Sequence, residues 1–279
     1  FRRVLFRSAH LGTRHFQTIV DDDWVMLQLY EWLKAADRPS IDGLNTYIVS
    51  GAVKDRGVTV ALSGLGADEL FGGYASFRRI PKLQRILASV AWLPSRLRRA
   101  AATAIFAPLP AGKRAKAIDL VSRGTTAVEL ASLDRRLHDD ATIRALGLDA
   151  RSLGLSADYL PPEAYAPLDA DCRDPFRAVS EVEASLYMGN TLLRDSDVNS
   201  MAHSLEIRVP FLGQQVVDYA CSLPGAVRGP AGKPGKYLLR QAVADVLPES
   251  VFTRPKSGFS LPFGDWLFGP LRDQCEAAI

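Results

Sequence analysis

The alternation of apolar and polar positions changes character near residue 77. Before that point, short apolar runs alternate with helical spacing. His15 to Val20 (HFQTIV) reads as a short strand, and Asp21, Asp22 and Asp23 follow it, where an acid can cap a helix running through Trp24, Leu27, Tyr30 and Leu33. Pro39 and Gly43 break the chain, after which Asn45 to Lys54 (NTYIVSGAVK) returns to helical spacing and stops near Gly57. VTVAL, Val58 to Leu62, is a continuous apolar run of the kind buried on both faces of a parallel sheet. Strand, helix, strand, turn, helix predicts the α/β class. Beyond Phe77 the strand signal stops. Leu, Ala, Val and Ile recur at spacings of three and four between prolines, so residues 77–279 read as mainly helical beside an α/β part over 9–76. Pro161, Pro162 and Pro167 mark a loop or linker, and no internal repeat or low-complexity tract is present.

Composition narrows the possibilities. With 279 residues and ordinary apolar content the chain can bury a real core. A net charge of +3, from 34 basic and 31 acidic residues, is too even to point to a nucleic-acid partner. Cys172, Cys221 and Cys275 are odd in number and far apart, which fits neither a disulfide framework nor a zinc site and suits a reducing cytoplasm. No apolar run approaches the roughly 20 residues needed to span a bilayer, so neither membrane insertion nor secretion is expected. The first eight residues, FRRVLFRS, are basic, carry no initiating Met and set no periodicity; they read as a non-native extension. Between Arg78 and Lys116 every charged side chain is basic. That run reads first as solvated faces of amphipathic helices, with a surface for membranes or polyanions as the alternative.

The candidate chemistry begins where VTVAL ends. In VTVALSGLGADELFGGY the strand delivers Ser63 and Gly64 to the carboxyl end of the sheet, where open α/β folds bind ligands. Gly64 and Gly66 let backbone N–H groups approach an anion, and Ser63 adds a hydroxyl. Asp68 and Glu69 open the next helix, a position the helix dipole favours for acids whatever their function. A dinucleotide fingerprint fails, because Glu69 stands where its third glycine belongs, and a Walker loop fails for lack of Gly-Lys-Ser/Thr. An acid in place of that lysine points to a magnesium ion shielding phosphate.

Two further stretches concentrate polar groups. Leu192 to Pro224 packs Arg194, Asp195, Asp197, His203, Glu206 and Arg208 ahead of Pro210-Phe211-Leu212, as a site or as an internal salt-bridge network. His203 has no metal-ligand spacing around it and is assigned no chemistry. Gly232 to Leu267 contains a helix over Tyr237 to Val246 and then RPKSGF, which fixes Lys256 between Pro255 and Gly258.

Together these segments resemble the synthetase domain of the asparagine synthetase family. ALSGLGADELFGGY is similar to its SGxGxDE(L/V)FGGY motif, DVNSMAHSLEIRVPFL to its central helical motif, and LLRQAVADVLPESVFTRPKSGFSLP to its LLR…LP…RPKxGF segment. The likeness extends over residues 9–279. It implies an adenine nucleotide alpha-hydrolase-like (ATP pyrophosphatase) fold using ATP and Mg2+. A carboxylate, aspartate or another, is adenylated, and glutamine-derived ammonia then converts it to the amide. Ser63, Gly64 and Gly66 fall at AMP-binding positions, Asp68 at a metal and pyrophosphate position, and Lys256 at the catalytic lysine. Asp197, Glu206 and Arg208 fall in the central motif, for substrate placement or a structural ion pair. A homodimer, with no nucleic acid or membrane partner, completes the expectation.

Three departures stand out. Leu65 occupies a place where many members carry an acid, and Gly213 ends a run that many finish with Asp. The family's pyrophosphate loop, SGGxDS, and its glutaminase domain with an N-terminal cysteine have no counterpart in this sequence. The chain is therefore expected to be the carboxyl-terminal portion of a longer enzyme and inactive alone. A β-lactam-forming relative and a non-catalytic module binding anionic surfaces are the alternative readings.

Overall fold

The computed structural model describes residues 8–19, 21–40, 42–123, 126–156, 168, 172–253 and 261–278. It is an α/β structure dominated by helices, with one small sheet. Its labelled elements are α1 (Asp22–Ala35), α2 (Gly43–Lys54), β1 (Val60–Leu62), α3 (Ala67–Phe71), α4 (Ser76–Ser89), α5 (Ser95–Ile105), α6 (Ala111–Arg123), α7 (Ala127–Arg135), α8 (Pro175–Val182), a π-helical stretch (Glu183–Leu192), α9 (Leu193–Met201), β2 (Glu206–Arg208), α10 (Gln214–Ser222) and α11 (Tyr237–Ala242). The chain folds as two compact units, residues 1–61, 195–207 and 244–279 in one and 62–194 and 208–243 in the other.

In the first unit, Asp21 caps α1 as its sequence suggested, its carboxylate accepting from the Trp24 N–H at 2.8 Å. The face that α1 buries is Val25, Leu29 and Trp32, packed on Leu44, Tyr47 and Ile48 of α2 and on Trp266 and Leu271. Leu27, Tyr30 and Leu33, expected along the helix's apolar line, are exposed. The Trp32 indole selects the face: its N–H donates to Asn199 Oδ1 at 2.7 Å, a bond a buried indole requires. Ser40 ties the same region together, donating to Asp195 Oδ2 at 2.5 Å while accepting from the Gly43 N–H.

The second unit has its core where α4, α7 and α8 meet. Phe77, Ile80, Leu87, Ala127, Val128, Leu130, Ala131, Phe176, Val179 and Val182 are all buried there. A smaller cluster joins Leu70 and Phe71 of α3 to Ala220 of α10.

Two strand expectations need correcting. Residues 13–19 form no strand, and Phe16 and Ile19 are exposed; Phe16 instead lies under the Arg56 guanidinium, 5.1 Å from it. A lone strand with no hydrogen-bonded neighbour does not hold. VTVAL does supply a strand, but only over β1, and Val60 and Leu62 point outward, Leu62 74% exposed. Among the described residues β1 pairs with β2 alone, so no layered sheet covers both faces. The pairing is parallel, with Glu206 N–H donating to the Thr59 carbonyl and Ser63 N–H to that of Arg208, at 2.9 and 2.8 Å. The helix expected over 237–246 is shorter, closing at Ala242.

Candidate functional site

The turn after β1 is built by main-chain constraints. Ser63 is anchored through its N–H to Arg208 O, and its Oγ accepts from the Leu65 N–H at 3.4 Å, closing the turn on itself. Gly66 has φ 89°, and a Cβ there would stand 2.7 Å from Leu212 Cδ2, so only glycine fits. Gly64 is the opposite case: it is exposed, and an added Cβ would meet nothing within 4 Å. Its backbone therefore faces open space at the mouth of the turn.

From this turn α3 emerges with Asp68 in its first turn, and Gly72 ends it at φ 74°. Asp68 Oδ2 lies 2.9 Å from the Lys236 ammonium, in an ion pair of partly exposed side chains. Lys236 is brought there by its own backbone, since its N–H donates to Phe71 O at 3.1 Å and it holds a left-handed φ of 58°. Gly73 and Gly235 allow the two loops to meet. A Cβ on Gly73 would lie 1.7 Å from Asp68 Oδ1, and one on Gly235 would lie 2.8 Å from Gly72 O. FGG and PGK are thus a matched pair of loops closing around one carboxylate and one ammonium.

Glu69, next to Asp68, points the other way. It is buried and accepts from the Tyr74 hydroxyl at 2.6 Å, while Ser180 Oγ donates to its carbonyl at 2.8 Å. Burial, followed by the Glu69 carboxylate, raises the Tyr74 pKa far above its ordinary value, so Tyr74 stays a proton donor to Glu69. Arg135 lies over the Tyr74 and Tyr187 rings, at 4.7 and 4.0 Å, and pairs with Glu183, which also accepts from Ser76 at 2.6 Å. Desolvation pushes the Glu183 carboxyl up, opposed by its bonds to Ser76 and Arg135. This buried network fixes α3 from behind and so fixes the direction of Asp68.

The remaining sequence candidates are dispersed. Asp197 is exposed on α9 and Glu206 is exposed on β2, both in the unit containing residues 195–207. Arg208, two positions along β2, shares the strand face of Glu206 and belongs with Ser63 and Asp68 to the other unit. Arg254 and Lys256, like Pro161, Pro162 and Pro167, lie outside the described residues. His203 packs against Tyr47, ring centroids 4.2 Å apart, and against Gly51. Among the described residues no three His, Cys, Asp or Glu side chains gather as a metal cluster. No helix among them is long and apolar enough to cross a membrane.

Sequence reasoning passed over Lys236. The available signal was a cation at the start of a helix, where the dipole disfavours it, directly after Pro234 and Gly235.

Comparison with known proteins agrees with the motif arrangement. An asparagine synthetase (glutamine-hydrolyzing) of Bacillus subtilis is 30% identical over 262 residues, covering 93% of this chain and 40% of the relative. A Mycobacterium tuberculosis protein provisionally given that name is 32% identical over 263 residues, covering 92% and 38% respectively. The Gallus gallus asparagine synthetase (glutamine-hydrolyzing) is 41% identical over 91 residues, 31% of this chain and 16% of its own. The chain thus spans about two fifths of the bacterial relatives' length. The family model described as asparagine synthase matches residues 5–279, starting inside the segment that the sequence set aside as an extension, and this chain belongs to that family.

Proposed function

We propose that this chain carries part of the synthetase site of an enzyme that amidates a carboxylate through an acyl-adenylate, with aspartate the leading substrate and asparagine its product. A carboxylate oxygen attacks the α-phosphorus of ATP, the bond from that phosphorus to the bridging oxygen breaks, and pyrophosphate leaves. Ammonia derived from glutamine then attacks the acyl carbon, and AMP departs. The observation that carries this reading is the Asp68–Lys236 pair held between two glycine loops beside an open glycine turn. An acid and a cation side by side complement magnesium pyrophosphate, which offers a cation to one and phosphate oxygens to the other.

The residues present fit such a group. Magnesium commonly takes one or two carboxylates and completes its shell with phosphate oxygens and water, and Asp68 supplies one carboxylate while Glu69 is turned away. Bound there, the ion would neutralise charge that develops on the leaving pyrophosphate. Ser63, Gly64 and Gly66 would hold AMP through hydroxyl and main-chain donors. Lys236 would bind the pyrophosphate oxygens once it leaves Asp68, and Lys256 would stabilise the α-phosphate in the transition state. Asp197, Glu206 and Arg208 would place the carboxylate substrate.

Leu65 keeps a second reading of the acceptor open. It is half buried in the turn, at a place where an acid could take a proton from attacking ammonia, and an amidated molecule other than aspartate, or ring closure by an internal amine, is the alternative. Calorimetric titration of the chain with AMP and with magnesium pyrophosphate tests the site. Magnesium pyrophosphate should bind, and Asp68→Asn should weaken it about tenfold or more, in line with loss of a charge-assisted contact. No binding, or binding indifferent to both Asp68→Asn and Lys236→Met, would remove the assignment.

A further inference from the structure

Arg78, Lys82, Arg85 and Ser89 succeed one another along α4 at spacings of four, three and four, which puts them on one stripe. All four are exposed, while Phe77, Ile80 and Leu87 on the opposite side are buried in the core. Ile86 stands exposed beside the stripe. The stripe runs into Trp92, whose indole N–H donates to the Ser89 carbonyl at 3.1 Å and whose side chain is 80% exposed. Arg96 and Leu97, also exposed, follow at the start of α5. No acid occurs anywhere from Arg78 to Lys116. The acids that reach back to this segment, Asp134 and Asp119, are each already paired, with Arg79 and Arg99.

A single exposed apolar side chain needs no explanation, and neither does a basic helix face. Their combination is the composition of an interfacial helix. Arg and Lys reach lipid phosphates while their stems cover apolar surface, and an indole settles at headgroup depth with its N–H satisfied. A soluble polyanion would use the charges and leave Trp92, Ile86 and Leu97 in water. We propose that the α4 stripe and Trp92 form a docking face for an anionic phospholipid bilayer, with α4 lying flat against the headgroups and its other side still packed on α7 and α8. The charge is complementary, and the attachment is peripheral. It is independent of the Asp68 site.

Sedimentation of the purified 279-residue chain with phosphatidylcholine vesicles, with and without phosphatidylglycerol, tests this. Binding is expected only with phosphatidylglycerol, should weaken as salt shortens the screening length, and should shift tryptophan emission to the blue. Of the other three tryptophans, Trp32 and Trp266 are already buried and Trp24 is partly buried against the same cluster, so Trp92→Ala should abolish the shift while leaving the thermal melt unchanged. The triple variant Arg78→Gln, Lys82→Gln, Arg85→Gln should partition roughly 100-fold less, about fivefold per charge. Asp68→Asn should partition as the parent chain does. Failure to bind acidic vesicles at low salt, equal binding to neutral ones, or an unaffected triple variant would overturn the proposal. So would polyglutamate competing fully with vesicles that produce no emission shift.

Discussion

Gly64 and Gly73 give opposite predictions from the same substitution. Alanine at Gly73 would force its Cβ to within 1.7 Å of Asp68 Oδ1 and 2.6 Å of Lys236 Cε. Gly73→Ala should therefore cost about 1–3 kcal/mol, the usual range for overpacking, and lose magnesium pyrophosphate binding with it. Gly64→Ala meets nothing, so its melt should stay within about 0.5 kcal/mol of the parent, as for other surface changes, while AMP binding falls because the new methyl occupies the ligand's approach. Equal loss of both properties in both variants, read by thermal melts and titration, would contradict this picture. His203 makes a pH prediction. Burial lowers its pKa, outweighing its bond to the Tyr47 backbone, and Nε2 has no partner among the described residues. The unfolded chain then binds a proton that the folded chain resists, so this contribution is complete above the ordinary histidine pKa of about 6.5 and is lost as pH falls below it. His203→Phe should flatten the fall in urea-unfolding free energy between neutral and mildly acid pH; an unchanged slope would refute the assignment.

Element boundaries were legible where a local interaction decides them. Asp21 caps α1 as expected; Thr126, which was not singled out from the sequence, opens α7 with a capping box in which Thr126 Oγ1 accepts from the Glu129 N–H at 3.2 Å and the Glu129 carboxylate accepts from the Thr126 N–H at 3.0 Å. Thr126→Ala should accordingly cost about 1 kcal/mol and lower the melting midpoint by roughly 2–4 °C, whereas Leu130→Ala, in the fully buried core of the same helix, should cost about 2–5 kcal/mol. Differential scanning calorimetry distinguishes them, and comparable losses would deny the cap a separate role. The glycine turn, Asp68 at the start of α3 and the mainly helical remainder were likewise readable, because each follows from residue type and spacing. What could not be read depends on distant partners. The α1 face was set by a bond from Trp32 to a residue 167 positions away, and VTVAL lay open because its neighbour strand is a three-residue segment near position 207. Lys236 escaped for the same reason, since its pairing with Asp68 spans 168 positions and leaves no local periodicity.

Binding the pieces of a reaction is a weaker requirement than carrying it out, and the whole chain should separate the two. Displacement at the α-phosphorus needs the carboxylate, the phosphorus and the leaving oxygen held in line, and small misplacements cost about 100-fold in rate. It also needs donors fixed along the triphosphate, each worth about 100- to 1,000-fold when its counterpart in other enzymes is removed. This sequence provides the turn at Ser63 to Gly66, Asp68, Lys236 and Lys256, and it contains no SGGxDS loop to hold the β- and γ-phosphates. The losses multiply, so the 279-residue chain should bind magnesium pyrophosphate yet release none from ATP. A coupled pyrophosphate assay with ATP, magnesium, aspartate and ammonium checks this directly, since supplied ammonium removes any need for a glutaminase. The expected result is no aspartate-dependent release above the buffer rate. Release that requires aspartate and disappears in Asp68→Asn would overturn it, and would locate the complete adenylation machinery within these residues.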